Sequence, residues 1–149
     1  MSESGRDLAQ LYAELGQALL QPPASDRGAE IEFYRLFYNP QGAPCPPWQS
    51  VYMTPEGQTP QLFGGAHHSA LAWYRRYGFE PALKNEPADH LGLLLLFYAR
   101  LLATEEDGAA IARFEEEHLA WAPRFIEKLA AEARHERFRT LARDLAESL

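Results

Sequence analysis

The chain has 149 residues, of which 46% are hydrophobic and 23% charged, enough for one globular domain with a substantial core. Its formal net charge of -7, without any basic run, argues against nucleic-acid binding, because that binding depends on phosphate neutralisation. A single cysteine, Cys45, excludes a disulfide framework and a cysteine-rich zinc site.

The first forty residues carry two helical patterns. Apolar side chains recur three and four positions apart between Leu8 and Leu19, and two prolines end this pattern. Aromatic rings then repeat four residues apart between Phe33 and Tyr38. We therefore expect an amphipathic helix followed by a short aromatic one.

Residues 41–65 are rich in proline and glycine and are expected to form an ordered loop. Structureless loops of this length in compact domains usually have a function. A further helix should begin between Gly65 and His67, turn Trp73 inward and end at Gly78.

The most apolar segment predicts a helix from about Pro87 to Ala103. It is apolar on every face, so it should lie in the middle of the domain. It contains Arg100 and is too short to span a bilayer. The N-terminal residues lack the basic region and apolar run of a secretory signal. These features predict a soluble, cytoplasmic protein that is not an integral membrane protein.

The remaining residues predict three more helices, marked by Ile111, Phe114 and His118, by Phe125 with Leu129, and by Phe138 with its apolar partners. Because His118 shares a stripe with Ile111 and Phe114, we expect it to be a satisfied core histidine. No stretch alternates with a period of two for long enough to indicate a strand. The predicted fold is all-α, a single-domain helical bundle over residues 1–149.

The polar residues before the apolar helix are the first candidates for a functional site. Glu86 is a natural cap and Pro87 a natural first helical residue. Asp89 then falls in the first helical turn, where its charge favours the positive helix end. His90 has no evident capping role. Because neighbouring helical residues point about 100° apart, we expect Asp89 and His90 to act as two separate hydrogen-bonding groups on a groove wall.

The second candidate segment follows two prolines that stiffen the chain, Pro46 and Pro47. Trp48 and Tyr52 offer large surfaces with polar tips, which could flank a peptide groove. Alternatively, either ring could simply attach the loop to the core.

Three segments, in this order, carry a resemblance to a known family: PPWQSVY at 46–52, EPADHL at 86–91 and HLAWAPRF at 118–125. They resemble the TorD/DmsD-like redox-enzyme maturation chaperones of the twin-arginine export pathway. The resemblance implies a helical cytoplasmic protein that is not an enzyme and has no cofactor of its own. Such proteins bind the signal peptide, and parts of the body, of a molybdenum-containing redox enzyme until its cofactor is installed.

The resemblance also implies which residues would bind the peptide. Glu86 and Pro87 would shape the helix start, while Asp89 and His90 set the polar end of the groove. The signal-peptide-binding residues it implies are Trp48, Ser50, Tyr52, Glu86, Pro87, Asp89 and His90. Leu94 and Leu96 replace acids that are common in the central helix of the family. Eight acids against two arginines between residues 86 and 117 still suit a peptide with two guanidiniums. Exposed pairs contribute at most about 1 kcal/mol each, so apolar contact should supply most of the affinity.

Other interpretations stay open. Glu115 with His118, and Glu132 with His135, have the spacing of di-iron carboxylate bundles. A general protein-interaction module would use the same groove for another guest. A hydrolase or transferase is disfavoured, since the chain lacks the nucleophile-elbow, phosphate-loop and zinc-protease motifs. The protein could be a monomer or a homodimer.

Overall fold

The computed structural model describes residues 3–81 and 83–149. The prediction of an all-α fold is confirmed, since the described residues contain helices and no strand, only an isolated bridge between Trp48 and His90. The α-helices are α1 (Glu3–Leu20), α2 (Arg27–Tyr38), α3 (Gln49–Met53), α4 (Gly65–Arg76), α5 (Leu91–Thr104), α6 (Gly108–Phe114), α7 (Ala122–Glu132) and α8 (Glu136–Ser148). A π-helical turn, Glu115–Leu119, joins α6 to α7.

Helix α5 lies at the centre, as its all-round apolar sequence predicts. Leu91, Leu93 and Leu94 are fully buried, and the buried side chains of all the long helices join one apolar cluster. Two glycines allow α1 to approach α5 closely. A Cβ added to Gly16 would lie 2.7 Å from the carbonyl oxygen of Gly92, and one on Gly92 would lie 2.9 Å from that of Gly16. Only hydrogen fits at this crossing.

The start of α5 differs from the prediction in three ways. The helix begins at Leu91, so Pro87 and Asp89 lie in the preceding turn and not in its first turn. His90 is the N-cap, because its Nδ1 accepts a hydrogen bond from the backbone N–H of Gly92 at 2.9 Å. Glu86 does not cap the helix; its carboxylate binds other side chains.

Two further elements were not predicted. Helix α3 forms inside the segment expected to be a loop, and the helical pattern through His118 passes into a π-helical turn. Along the described residues, no helix combines the length and the apolar character that crossing a bilayer requires.

Candidate functional site

The site is built where the segment after the proline pair meets the residues before α5. The backbone N–H of Gln49 donates to the carbonyl of Asp89 at 3.1 Å. In return, the N–H of Leu91 donates to the carbonyl of Pro47 at 2.8 Å. These two bonds form the antiparallel bridge that places Trp48 against His90. The two segments that carry the motifs are therefore held together by backbone pairing.

Asp89 holds the start of α3 to this junction. Its Oδ2 accepts from the backbone N–H of Ser50 at 2.9 Å, and its side chain is fully buried. Its Oδ1 and the Ser50 hydroxyl are buried without a hydrogen-bond partner. The carboxylate therefore orders the loop from inside the protein and does not reach a ligand in this conformation.

His90 is also fully buried, and its hydrogen bonds define its tautomer. Because Nδ1 accepts from Gly92, the neutral ring carries its proton on Nε2, which lies 3.2 Å from the Tyr38 hydroxyl. Burial lowers the pKa of His90 to about 3, so the ring is neutral at physiological pH. Nε2–H can then donate to the Tyr38 oxygen, which leaves the Tyr38 hydroxyl proton for another acceptor.

That acceptor is Glu86. The Tyr38 hydroxyl donates to one carboxylate oxygen at 3.0 Å, and the Trp48 indole N–H donates to the other at 2.5 Å. Burial raises the pKa of Glu86, and the two hydrogen bonds oppose that rise. Each carboxylate oxygen has a lone pair left to accept another bond. A chain of hydrogen bonds thus runs from buried His90 through Tyr38 to a carboxylate at the surface.

Aromatic packing fixes the geometry of this carboxylate. The Trp48 ring meets Tyr38 edge to face at 6.0 Å between centroids, and it meets His90 in the same way at 6.1 Å. Trp48 and Glu86 are both half-buried. They form a polar and aromatic platform that is partly exposed to solvent.

The seven residues implied to bind a peptide fall into two groups. Only Trp48 and Glu86 reach the surface, whereas the other five are buried: Ser50, Tyr52, Pro87, Asp89 and His90. The expectation that Asp89 and His90 stand on a groove wall therefore does not fit this structure, because backbone pairing turns them into the core. The Tyr52 ring stacks on Trp121 at 5.3 Å, and its carbonyl accepts from the Arg124 guanidinium. Tyr52 thus attaches the loop to the core instead of flanking a groove.

Sequence reasoning missed Tyr38, which links the two ends of the hydrogen-bond chain. The four-residue spacing of Tyr34 and Tyr38 was a signal that the two rings share a face of α2. Nothing in that spacing indicates that the Tyr38 hydroxyl would reach residues about fifty positions further along the chain.

A second buried histidine belongs to the π-helical turn. His118 Nδ1 lies 2.8 Å from the side-chain oxygen of Gln49, and its Nε2 lies 3.0 Å from the Ser69 hydroxyl. The Gln49 amide nitrogen donates to the carbonyl of Glu117 at 2.7 Å. Burial lowers the pKa of His118 to about 4. The expectation of a satisfied core histidine agrees with this geometry.

The positions of the four proposed metal ligands do not agree with the di-iron interpretation. Glu115 in the π-helical turn is exposed and accepts a hydrogen bond from the Tyr98 hydroxyl, whereas the His118 side chain is buried in the core. His135 caps α8 by accepting from the N–H of Arg137, and Glu132 is exposed. Among the described residues, no group of three or more His, Cys, Asp or Glu side chains could hold a metal ion.

The sequence model of the family described as nitrate reductase delta subunit matches residues 3–127. Over 118 residues the chain is 32% identical to the Tat proofreading chaperone DmsD of Salmonella typhi, covering 78% of this chain and 56% of that protein. Over 128 residues it is 31% identical to the chaperone protein TorD of Shewanella loihica, covering 83% of this chain and 57% of that protein. The chain thus spans about half the length of these curated relatives.

The fold is shared with a solved structure. A crystal structure from Archaeoglobus fulgidus, described as a candidate redox enzyme maturation protein, matches with a TM-score of 0.62 over 99% of this chain and 94% of that chain. The identity is 20%, so this likeness shows the fold alone. The resemblance carried by the three sequence segments is confirmed by the family match. The chain therefore belongs to the nitrate reductase delta subunit family, the TorD family.

Proposed function

We propose that this protein is a cytoplasmic maturation chaperone which binds the twin-arginine signal peptide of an exported, molybdenum-containing redox enzyme. It would hold the precursor while the cofactor is inserted, without catalysing a reaction itself. Its family and the names of its relatives, a Tat proofreading chaperone and TorD, support this role. Monomer and homodimer are both compatible with the proposal.

The observation that carries the proposal is the half-buried carboxylate of Glu86. Trp48 and Tyr38 hold it through one hydrogen bond to each oxygen, and both oxygens keep a lone pair for a further donor. A guanidinium can bind such a carboxylate with two N–H groups while it lies against an aromatic ring. The platform would therefore offer two acceptor atoms to one arginine of the pair.

The implied site residues then take two roles. Trp48 and Glu86 contact the peptide, while Ser50, Tyr52, Pro87, Asp89 and His90 act as positioning residues inside the protein. His90 orients Tyr38, which in turn orients Glu86. Hydrogen bonds to charged groups contribute about 1.5–3 kcal/mol, more than an exposed ion pair does. Partial burial is thus what makes Glu86 a useful binding group.

Isothermal titration of the protein with a synthetic twin-arginine signal peptide tests this function. We expect the native peptide to bind more tightly than a peptide with both arginines replaced by lysine, because ammonium cannot form the two-pronged bond. A scrambled peptide of the same composition should bind weakly. Equal affinity for the scrambled peptide would contradict the proposal and favour a general interaction module.

The matched pair of variants for this titration is Glu86→Gln and Glu117→Gln. Each of these glutamates accepts a hydrogen bond from a tryptophan indole, from Trp48 in the first case and from Trp73 in the second. Glu86→Gln should weaken binding of the native peptide about tenfold or more, from the loss of a charged acceptor. Glu117→Gln should leave the affinity unchanged.

A further inference from the structure

An exposed apolar stripe on α2 leads to the peptide platform. Ile31 is 57% exposed and Tyr34 is 50% exposed, although both belong to large hydrophobic residue types. Tyr38 completes their helical face, because positions three, four and seven apart lie above one another on a helix. We call Ile31, Tyr34 and Tyr38 the α2 stripe.

The α2 stripe is continuous with the site. The rings of Tyr34 and Tyr38 lie 6.3 Å apart, and Tyr38 packs edge to face on Trp48. Leu83 adds an apolar side chain, 42% exposed, at the turn whose carbonyl accepts from the N–H of Glu86. Single exposed apolar residues are ordinary on proteins, but this row of them ends on a half-buried carboxylate.

Charge along α2 fits a guest whose cation lies only at the platform. The two arginines of α2 are each paired with a glutamate of the same helix, Arg27 with Glu30 at 3.6 Å and Arg35 with Glu32 at 2.6 Å. These pairs leave the α2 stripe itself uncharged. Glu86 then offers negative charge at one end of the stripe, and apolar surface extends from it toward Ile31.

We propose that the α2 stripe and Leu83 bind the apolar stretch that follows the arginine pair of the signal peptide. The arginine pair would lie at Glu86, and the peptide would run along α2 toward the helix N-terminus. Seven residues separate Ile31 from Tyr38, which corresponds to about 10 Å of helix and to roughly three residues of extended peptide. This inference rests on the proposed function and adds a location and a direction to it.

The test compares two peptides with two protein variants. One peptide contains the arginine pair and its apolar stretch; the other ends directly after the arginine pair and a polar spacer. The variant Ile31→Ser/Tyr34→Ser removes the exposed apolar area of the stripe, and Leu8→Ser, at a 42% exposed position on α1, is the matched control. Because these positions are exposed, all variants should keep the wild-type unfolding midpoint, which a urea titration checks.

We expect the double variant to bind the complete peptide about tenfold more weakly, as the loss of buried apolar area predicts. It should bind the shortened peptide as tightly as wild type does, and Leu8→Ser should bind both peptides normally. Unchanged affinity of the double variant for the complete peptide overturns the inference. That result leaves the proposed function intact if Glu86→Gln still weakens binding. A failure of this inference can therefore be distinguished from a failure of the proposed function.

Photo-crosslinking locates the apolar stretch independently. A benzoylphenylalanine placed in that stretch should crosslink to the tryptic fragment that contains Tyr34. A cavity of about 670 Å³ between α7 and α8, lined by Ile126 and Ala142, is the competing location. Crosslinks confined to α7 and α8 would overturn the inference. The inference would also be overturned if light scattering shows that wild type is a dimer, that the double variant is not, and that peptide affinity is unchanged. A second copy of the chain would then cover the α2 stripe.

Discussion

Two Trp–Glu pairs among the described residues each lie beside a buried histidine, and they differ in what surrounds the acid. Trp48 donates to Glu86 at 2.5 Å, and Trp73 donates to Glu117 at 2.8 Å. Glu86 is half-buried with a raised pKa, whereas Glu117 is exposed. A carboxylate that is partly removed from water binds a cation more strongly, because solvent screens it less. The Trp48–Glu86 pair therefore suits recognition of a cation, whereas the Trp73–Glu117 pair suits local packing.

The two buried histidines also differ, in the groups to which their hydrogen bonds lead. His90 donates from Nε2 toward Tyr38 and so toward the surface, whereas His118 donates from Nδ1 to Gln49. Gln49 also donates to the carbonyl of Glu117, and His118 Nε2 accepts from the hydroxyl of exposed Ser69, so this chain ends on a backbone carbonyl and a neutral hydroxyl. The His90 chain instead ends on Glu86, whose oxygens can accept further donors. The two chains therefore differ in the group that ends them, a half-buried carboxylate for His90 and neutral groups for His118.

The largest expected effect on stability is that of Asp89→Ala, which removes the carboxylate that binds the start of α3. This change leaves the buried N–H of Ser50 without its acceptor and creates a cavity, which together should lower the free energy of unfolding by about 2–4 kcal/mol. Urea denaturation measures the loss. Asp89→Asn keeps a carbonyl oxygen for Ser50 and should lose less. Equal loss in the two variants would show that the Ser50 bond is not what Asp89 contributes.

Acid should weaken the fold through both histidines. Burial lowers the pKa of His90 to about 3 and that of His118 to about 4, below the 6.5 of the unfolded chain. The unfolded state therefore binds more protons, and stability falls as the pH decreases from 7 toward 4. Each ring should cost on the order of 2 kcal/mol between pH 7 and pH 4.5. Urea titrations at several pH values measure this slope.

The variant His90→Asn separates the two contributions to this slope. Asparagine can cap α5 in place of the imidazole but does not titrate. We therefore expect its stability to depend on pH less steeply than that of wild type, with the remaining slope coming from His118 and from His67, whose pKa burial also lowers. A slope identical to wild type would mean that His90 is not held neutral by the fold.

Peptide affinity should respond to pH through Glu86 alone. Its pKa is raised by burial, so protonation begins above the ordinary value of 4.5 and removes the charge that binds a guanidinium. Affinity should therefore fall a few-fold as the pH decreases toward 5, while the protein is still folded. Titrations at pH 7.5 and 5.5 measure the change. In Glu86→Gln the affinity should be independent of pH, and a persisting dependence would point to another carboxylate.

The smallest expected effect is that of Glu117→Gln on stability. Glu117 is exposed, and the glutamine oxygen can still accept from Trp73, so the free energy of unfolding should change by less than about 0.5 kcal/mol. A loss above about 1 kcal/mol, measured by urea denaturation, would show that the Trp73–Glu117 pair needs a carboxylate as much as the Trp48–Glu86 pair does.

Most helices could be predicted from the sequence because apolar spacing reports burial directly. The central position of α5 followed from its lack of any polar face, and Gly78 marked the end of α4, where a φ of 65° favours glycine. Helix α3 could not be predicted, because five residues form no stable helix alone. Its first N–H groups are satisfied by Asp89, forty positions away in sequence, which local patterns cannot reveal.

The composition of the candidate site was predicted only in part, since Tyr38 was missed, and its arrangement was not predicted. Trp48, Asp89 and His90 do lie together, as the motifs indicate. Their burial could not be foreseen, because it depends on the backbone bridge between Trp48 and His90. The role of His90 as a cap was missed because a histidine Nδ1 is an unusual acceptor at that position.

A double-mutant cycle tests whether Glu86 binds a guanidinium of the guest. Wild type and Glu86→Gln are each titrated with the native peptide and with peptides in which one arginine is replaced by citrulline, its neutral analogue. Binding of a guanidinium by Glu86 predicts that citrulline at one of the two positions weakens binding to wild type about tenfold but hardly affects Glu86→Gln, a coupling of about 1.4 kcal/mol. Losses that simply add, at both arginine positions, would contradict it.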